Sequence, residues 1–203
     1  MKRIPKEVLD SAMSYQEFFN MVDTMAEEGK TTGEQIELHV LATKMNAHRM
    51  KRVEKMTILD EAMSAKLKNY GPNLKFLVIA ESWCGDALQN IPAMAKMANA
   101  CNCVDIKVIM RDKHLDIMDQ FLTNGSRAIP IVLLLDENHN VLGKWGPRPH
   151  IIQVQVMKNK ETPQFTKSEM NVKVQRWYTK DKGLSLQAEI IEMLETAVGT
   201  VEQ

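Results

Sequence analysis

The chain has 203 residues and a mass of 23.1 kDa, which suffices for one sizeable core, with or without a helical annex, and is cramped for two full domains. Its 26 basic and 26 acidic residues give a formal net charge of zero, so no global field favours nucleic acid or an anionic membrane as a partner. Three cysteines are too few for a disulfide-built secreted scaffold, and the charged opening segment 1–7 lacks the apolar run of a signal peptide. We therefore expect a soluble cytoplasmic protein without a membrane span, whose cysteines are thiols.

Residues up to Tyr70 are predicted to be helical. The pattern at 14–17 is a capping box, and Gly29 supplies a helix end. The capping pattern is repeated at 31–34 and predicts a second helix that is either continuous or broken near Thr57. The apolar face of this second helix is predicted to be formed by Leu41, Met45, Val53, Met56, Met63 and Leu67, with an end at 70–72.

The middle of the chain alternates between strand and helix patterns. Strands are predicted at 74–80 and 104–110, each followed by a helix, at 86–100 and at 115–122. Such alternation predicts two parallel strands joined by a right-handed crossover. A third strand at 131–135, the turn-rich segment 136–140 and a fourth strand at 141–145 predict a hairpin, so the sheet should be mixed.

The rest of the chain is predicted to be helical, with segments ending near Lys158 and covering 168–180 and 185–198. We expect an α/β core at 73–160, a helical N-terminal extension at 1–72 packed on it, and C-terminal helices at 161–203. The three parts should form one compact unit.

The segment Ser82-Trp83-Cys84-Gly85-Asp86-Ala87 places a cysteine where a buried strand gives way to a helix. Unpaired amides and the positive end of the helix dipole favour an anionic sulfur there. Asp86 opposes this by about 0.7 kcal/mol at ~6 Å in water. We expect the helix start to prevail, with a modestly lowered thiol pKa.

These residues resemble the thioredoxin superfamily, and more closely its bacterial branch with a Trp-Cys-Gly-Asp corner. The resemblance rests on Trp83 and Cys84, on Pro92 eight residues after the cysteine, and on Ile129-Pro130 at the start of the third strand. It covers roughly 74–158 and implies a thioredoxin-like fold with a cis proline beside the cysteine. It also implies that the Ile129 backbone pairs with an extended substrate in a groove. Further likeness to that branch is found at 111–112, 125–130 and 146–149.

Two departures from the family pattern remove the resolving machinery. Ala87 stands at the position of the second cysteine, and Val78 stands where thioredoxins keep a buried acid. Cys101 lies 17 positions after Cys84, or roughly 25 Å along a helix, too far for a disulfide. Cys101 and Cys103 are therefore interpreted as plain thiols, with a zinc-linked pair across two chains as a lower-ranked alternative.

The other candidates are ionic and aromatic residues. Arg111, Arg127 and Arg148 lie near strand ends and are either an anion-binding set or ordinary salt-bridged arginines. Asp86 is interpreted as a structural acid of the first helical turn, in preference to a catalytic group that transfers a proton. Trp83 is interpreted as a cover over the cysteine. Glu81 either approaches the sulfur or faces solvent, and the five histidines form no metal pattern.

The resulting hypothesis is thiol-disulfide exchange through Cys84 as a single nucleophile. A protein or small-molecule disulfide would react with Cys84, and an external low-molecular-weight thiol would release it, with no resident cofactor or metal. The alternative is a redox-inactive binding protein that uses the groove beside Pro130. Nucleic acid and membrane partners are not expected, and no oligomeric state is predicted.

Overall fold

The computed structural model describes residues 1–67, 74–101 and 104–201, without the side chains of residues 101 and 198–201. The helices are α1 (Lys6–Asp10), α2 (Tyr15–Glu28), α3 (Glu37–Met56), α4 (Glu61–Leu67), α5 (Ala87–Cys101), α6 (Leu115–Met118), α7 (His150–Glu161), α8 (Lys167–Asp181) and α9 (Leu184–Val201). The strands are β1 (Met13–Ser14), β2 (Leu74–Ala80), β3 (Val104–Met110), β4 (Ile131–Leu135) and β5 (Val141–Trp145).

The strands form a five-stranded mixed sheet in the order β1-β3-β2-β4-β5. β2 and β3 are parallel and are connected by α5, whereas the β1-β3, β2-β4 and β4-β5 pairs are antiparallel. The predicted α/β fold, its four main strands and its hairpin are confirmed. β1 escaped prediction because a two-residue edge strand leaves no periodic pattern in the sequence.

One large cluster of buried side chains lies on the sheet. It extends from Ile4 to Ala197 in the sequence and includes the centre of β2, where Val78 is fully buried. α5 lies against this cluster, and α3 packs on both α2 and α5. α7 and α8 pack on each other around a smaller cluster formed by Ile152, Val156, Met170, Val174 and Tyr178.

The second N-terminal helix begins later than predicted. The capping box at 14–17 and the left-handed Gly29 are present as expected. In contrast, α3 starts at Glu37 after Ile36, which makes no side-chain cap. Thr31 and Thr32 are buried and bond to another part of the chain, so the prediction of a capping box at 31–34 was wrong.

The predicted apolar face of this helix was also wrong for three of its six residues. Leu41, Met45 and Met56 are more than half exposed, at 52%, 59% and 56%. The positions that α3 buries are Thr43, Asn46, Ala47 and Met50. Thr43 and Asn46 form hydrogen bonds with Ser82, which lies in the loop after β2. Because buried polar groups need such partners, the inner face of α3 carries polar residues in place of an apolar stripe.

The remaining boundaries follow the predictions with small shifts. The break near Thr57 is confirmed, because α3 ends at Met56 and α4 begins at Glu61. The predicted end at 70–72 lies outside the described residues. α6 is shorter than predicted, and the three C-terminal helices are present. None of the helices in the described ranges is long and apolar enough to cross a membrane.

Candidate functional site at Cys84

Cys84 lies in the turn between β2 and α5, as the sequence predicted. Its amide donates to the Glu81 carbonyl at 3.0 Å, and its own carbonyl accepts from Leu88 at 3.3 Å. The thiol Sγ lies 3.3 Å from the Ile129 carbonyl oxygen, to which it donates, and the Ile129–Pro130 peptide bond is cis. The cysteine is 7% exposed, so the sulfur is at the floor of the site.

The expectation of an acidified thiol was wrong. Burial raises the pKa of Cys84 to about 12, and the negative charge of Asp86 acts in the same direction. The amides of Ala87 and Asp86 and the guanidinium of Arg148 lower the pKa, but they do not compensate for the lost hydration. Desolvation has the largest effect on this pKa, and the local sequence around Cys84 does not report it.

Asp86 is held in a buried ionic network. Its Oδ2 lies 2.6 Å from Arg148 Nη2, and its Oδ1 accepts from the Tyr178 hydroxyl at 3.1 Å. Asn90 Nδ2 donates to that hydroxyl at 3.0 Å and to the Asp86 carbonyl at 2.8 Å. Burial raises the pKa of Asp86, and Arg148 opposes the rise. These contacts favour the structural interpretation of Asp86: it joins α5 to α8 and to the segment before α7.

The N-terminal extension clamps the residue before Trp83. Ser82 Oγ lies within 3.1 Å of the hydroxyls of Thr31, Thr32 and Thr43, and its amide donates to Thr32 Oγ1 at 2.9 Å. Asn46 Nδ2 donates to the Ser82 carbonyl at 2.8 Å. All of these residues are buried. The N-terminal extension therefore positions the Cys84 turn through hydrogen bonds between buried groups.

Trp83 is enclosed by two further side chains. The His39 ring stacks on its indole with centroids 4.3 Å apart and planes 10° apart, and the Arg111 guanidinium lies 4.9 Å from the indole centroid. Stacking on a histidine and a guanidinium fixes the indole orientation. These contacts fit the interpretation of Trp83 as a cover beside the cysteine.

The structure brings most of the predicted site residues into one groove of about 730 Å³. Trp83, Cys84, Gly85, Asp86, Ile129 and the three candidate arginines line it. Ala87 is fully buried at the start of α5, and Pro130 is also buried. The outer wall is formed by α7, α8 and the loop between them, through Val156, Lys160, Phe165, Lys167 and Met170.

Each of the three arginines has an internal carboxylate partner. Arg148 pairs with Asp86. Arg127 holds Asp119 through two contacts of 2.6 and 2.8 Å, and Arg111 Nε lies 2.8 Å from Asp112 Oδ1. All three arginines are therefore salt-bridged, which was one of the two sequence-based interpretations. They also line the groove.

Several residues of the site were missed by the sequence analysis. Thr31, Thr32, Thr43 and Asn46 were assigned to a helix start or ignored, and Tyr178 carried no signal at all. The only available hint was the pair of polar residues at Thr43 and Asn46 on the inner side of α3. Cys103 lies outside the described residues and the side chain of Cys101 is not described. The separation of roughly 25 Å between Cys84 and Cys101 therefore stays a prediction.

A mixed sheet, a cysteine at the β2–α5 corner and a proline opening β4 define a thioredoxin-like α/β protein. A family model described as thioredoxin matches residues 33–170, which is more than half of the chain, so the chain belongs to this thioredoxin family. No curated protein matches the sequence.

Two solved structures share the fold. A protein of unknown function from Pseudomonas aeruginosa, PA1234, has 21% identity and a TM-score of 0.66, over 97% of this chain and 99% of that one. An HIV epitope-scaffold protein has 20% identity and a TM-score of 0.62, over 94% of this chain and 96% of its own. Likenesses at this identity concern the fold alone.

Proposed function

We propose that the protein binds an anionic, extended partner in the groove beside Cys84, and that the cysteine is a protonated thiol in the resting state. The charge of the groove carries this proposal. Its lining includes five cationic side chains, Arg111, Arg127, Arg148, Lys160 and Lys167. Because each arginine is paired with a carboxylate, the two lysines give the groove a net positive charge of two. A cleft lined by one sign of charge concentrates ligands of the opposite sign.

Lys160 and Lys167 supply the charge that is free for a partner. Both are exposed, and neither forms an ion pair within the described part of the chain. The arginines, held by their carboxylates, supply fixed N–H donors at the inner end. Val156, Phe165 and Met170 give the same groove an apolar wall. An acidic peptide-like ligand with some apolar side chains fits this combination.

The state of the thiol favours binding over turnover. With a pKa raised to about 12 by burial, the thiol is protonated at neutral pH. Only the thiolate attacks a disulfide. The Ile129 carbonyl, which the family resemblance assigns to substrate pairing, already accepts the thiol.

Monothiol exchange is the second candidate, and one observation favours it. The amides of Asp86 and Ala87 both lower the pKa of Cys84, so they would stabilise a thiolate once the Asp86 charge is neutralised. The thiolate would attack one sulfur of a protein or small-molecule disulfide, forming a mixed disulfide and expelling the other half as a thiolate. Because Ala87 cannot resolve this bond, a second, external thiol would attack it and restore Cys84.

The Trp-Cys-Gly-Asp corner supports assignment to the bacterial thioredoxin-like branch, which remains part of this proposal. A cytoplasmic location goes with it, since free thiols are maintained in a reducing compartment. Neither candidate needs a resident cofactor or metal.

Glutathione disulfide tests the two candidates together, because it is anionic, peptide-like and able to exchange. Binding is measured by calorimetry, and adducts by intact-protein mass spectrometry, for wild type and Cys84→Ser. The binding proposal predicts salt-sensitive affinity that survives Cys84→Ser and no glutathionyl adduct at Cys84. An adduct on wild type that disappears in Cys84→Ser would support exchange.

Reversing the charge of the groove lysines tests whether the ligand binds in this groove. Lys160→Glu/Lys167→Glu should weaken affinity at low salt by about 10-fold. The matched control is Lys44→Glu/Lys158→Glu, since these lysines are exposed but do not line the groove. The binding proposal fails if both double variants bind like wild type.

A further inference from the structure

A second cavity, of about 500 Å³, lies at the carboxyl ends of β2 and β3 and beneath α2. It shares no lining residue with the Cys84 groove. Four methionines from three elements line it, Met13, Met21, Met25 and Met110, together with Val108 and Ile109 of β3. Carboxyl ends of parallel strands are a frequent location for ligands, and methionine adapts to apolar molecules of different shape.

Glu81 is the buried polar group of this cavity. It follows β2 directly and is 0% exposed, which excludes the sequence-based alternative that it faces solvent. Its Oε1 accepts from the Asp112 amide at 2.9 Å, whereas Oε2 has no hydrogen-bond partner within the described residues. The Thr32 hydroxyl interacts with the Glu81 carboxyl, but Thr32 Oγ1 also accepts from the Ser82 amide and shares a hydrogen bond with the Ser82 hydroxyl. A buried carboxyl oxygen without a donor is costly, and a ligand can supply the donor.

Among the charged side chains that line the cavity, Glu81 is the one best placed to hold a bound ligand. Asp112 also lines the cavity, but it is exposed to solvent and its Oδ1 is paired with Arg111. Lys113 and His114 line the mouth, and Lys113 is exposed to solvent. α2 and β1 contribute no charged side chain to the lining. Burial raises the pKa of Glu81, while the Thr32 hydroxyl, the Asp112 amide and the Arg111 charge oppose the rise and the Asp112 charge adds to it.

We propose that this cavity binds a small amphiphilic amine, whose ammonium group donates to Glu81 Oε2 and whose apolar chain lies on the methionines. An ammonium supplies both the missing donor and the opposite charge, and a charge-assisted hydrogen bond is stronger than a neutral one. An alcohol supplies a donor without charge, and a carboxylate is repelled. Binding of an ammonium requires the ionised form of Glu81, so its affinity increases as pH rises and Glu81 loses its proton, whereas alcohol binding does not change.

The test uses n-hexylammonium, 1-hexanol and hexanoate as probes, with calorimetry on the full chain. We expect hexylammonium to bind about 10-fold or more tightly than hexanol, with an affinity that increases with pH, and hexanoate to bind least. Equal affinity for hexylammonium and hexanol, or no hexylammonium binding at millimolar concentration, overturns the proposal.

Glu81→Gln removes the charge while keeping an oxygen for the Asp112 amide. It should reduce hexylammonium affinity to that of hexanol and leave hexanol unchanged. Asp105→Asn is the matched control, because it removes an exposed carboxylate paired with Lys107 outside the cavity. Unchanged hexylammonium affinity in Glu81→Gln refutes the anchoring role. If Glu81→Gln does not fold, the pH dependence of hexylammonium binding to wild type decides the question, since a flat profile contradicts the proposal.

Discussion

Removing the negative charge of Asp86 should make Cys84 more reactive. The substitution Asp86→Asn keeps the shape and an oxygen that can accept from Tyr178. It removes a negative charge that raises the pKa of Cys84, and leaves the Arg148 charge, which lowers the pKa, without its partner. Both effects favour the thiolate.

The size of the effect follows from the interaction between the two charges. Two unit charges about 6 Å apart at an effective dielectric constant of about 20 interact with about 2.8 kcal/mol. This energy corresponds to a fall of about 2 in the pKa of Cys84. The thiolate fraction at neutral pH then rises about 100-fold, while the intrinsic nucleophilicity falls about 8-fold for a Brønsted coefficient of about 0.45. The net expectation is about a 10-fold faster reaction.

The assay is the rate of alkylation by iodoacetamide near neutral pH, in a Cys101→Ser/Cys103→Ser background so that only Cys84 reacts. Asp119→Asn is the control, because it breaks the exposed Arg127 pair with the same change in charge. An Asp86→Asn rate equal to or below that of the background protein refutes the reasoning about charge.

Stability must be followed in parallel, since breaking one side of a buried ion pair costs about 3–5 kcal/mol. If Asp86→Asn does not fold, Arg148→Gln tests the same electrostatics with the opposite sign. Loss of the guanidinium should raise the pKa of Cys84 and slow its alkylation. An accelerated reaction in Arg148→Gln would contradict the model.

Three further substitutions test the packing of the site through thermal unfolding. Gly146 has φ of +117°, and an added Cβ would overlap the Pro130 carbonyl oxygen, so Gly146→Ala should lower Tm by more than about 10 °C. The control Gly125→Ala, at φ of +73° with nothing within 4 Å, should cost only about 1 kcal/mol, and equal losses would contradict the contact argument. Ser82→Ala leaves three buried threonine hydroxyls without their common partner. It should lower the free energy of unfolding by about 1–3 kcal/mol, and Tm by roughly 3–9 °C. An unchanged Tm would show that these hydrogen bonds do not stabilise the Cys84 turn. Tyr178→Phe removes the hydroxyl between Asp86 and Asn90 and should cost a similar ~1–3 kcal/mol, and an unchanged Tm would show that water replaces it fully.

The sequence by itself determined the sheet and the place of the cysteine. β2, β3, β4 and β5 were predicted with their observed bounds, because short apolar runs bounded by turn residues report strand burial locally. The break near Thr57 and the capping box before α2 are local in the same sense, since each depends on residues within one helical turn.

Only the tertiary structure decided the chemistry of the site. The pKa of Cys84 depends on how much solvent the surrounding elements exclude, and the pairing of Asp86 depends on Arg148 and Tyr178, which are 62 and 92 positions away. The same holds for α3, whose inner face is polar because Ser82 of a distant loop lies against Thr43 and Asn46. Hydrogen bonds and charge interactions of this kind form between elements, and no periodicity within one element encodes them.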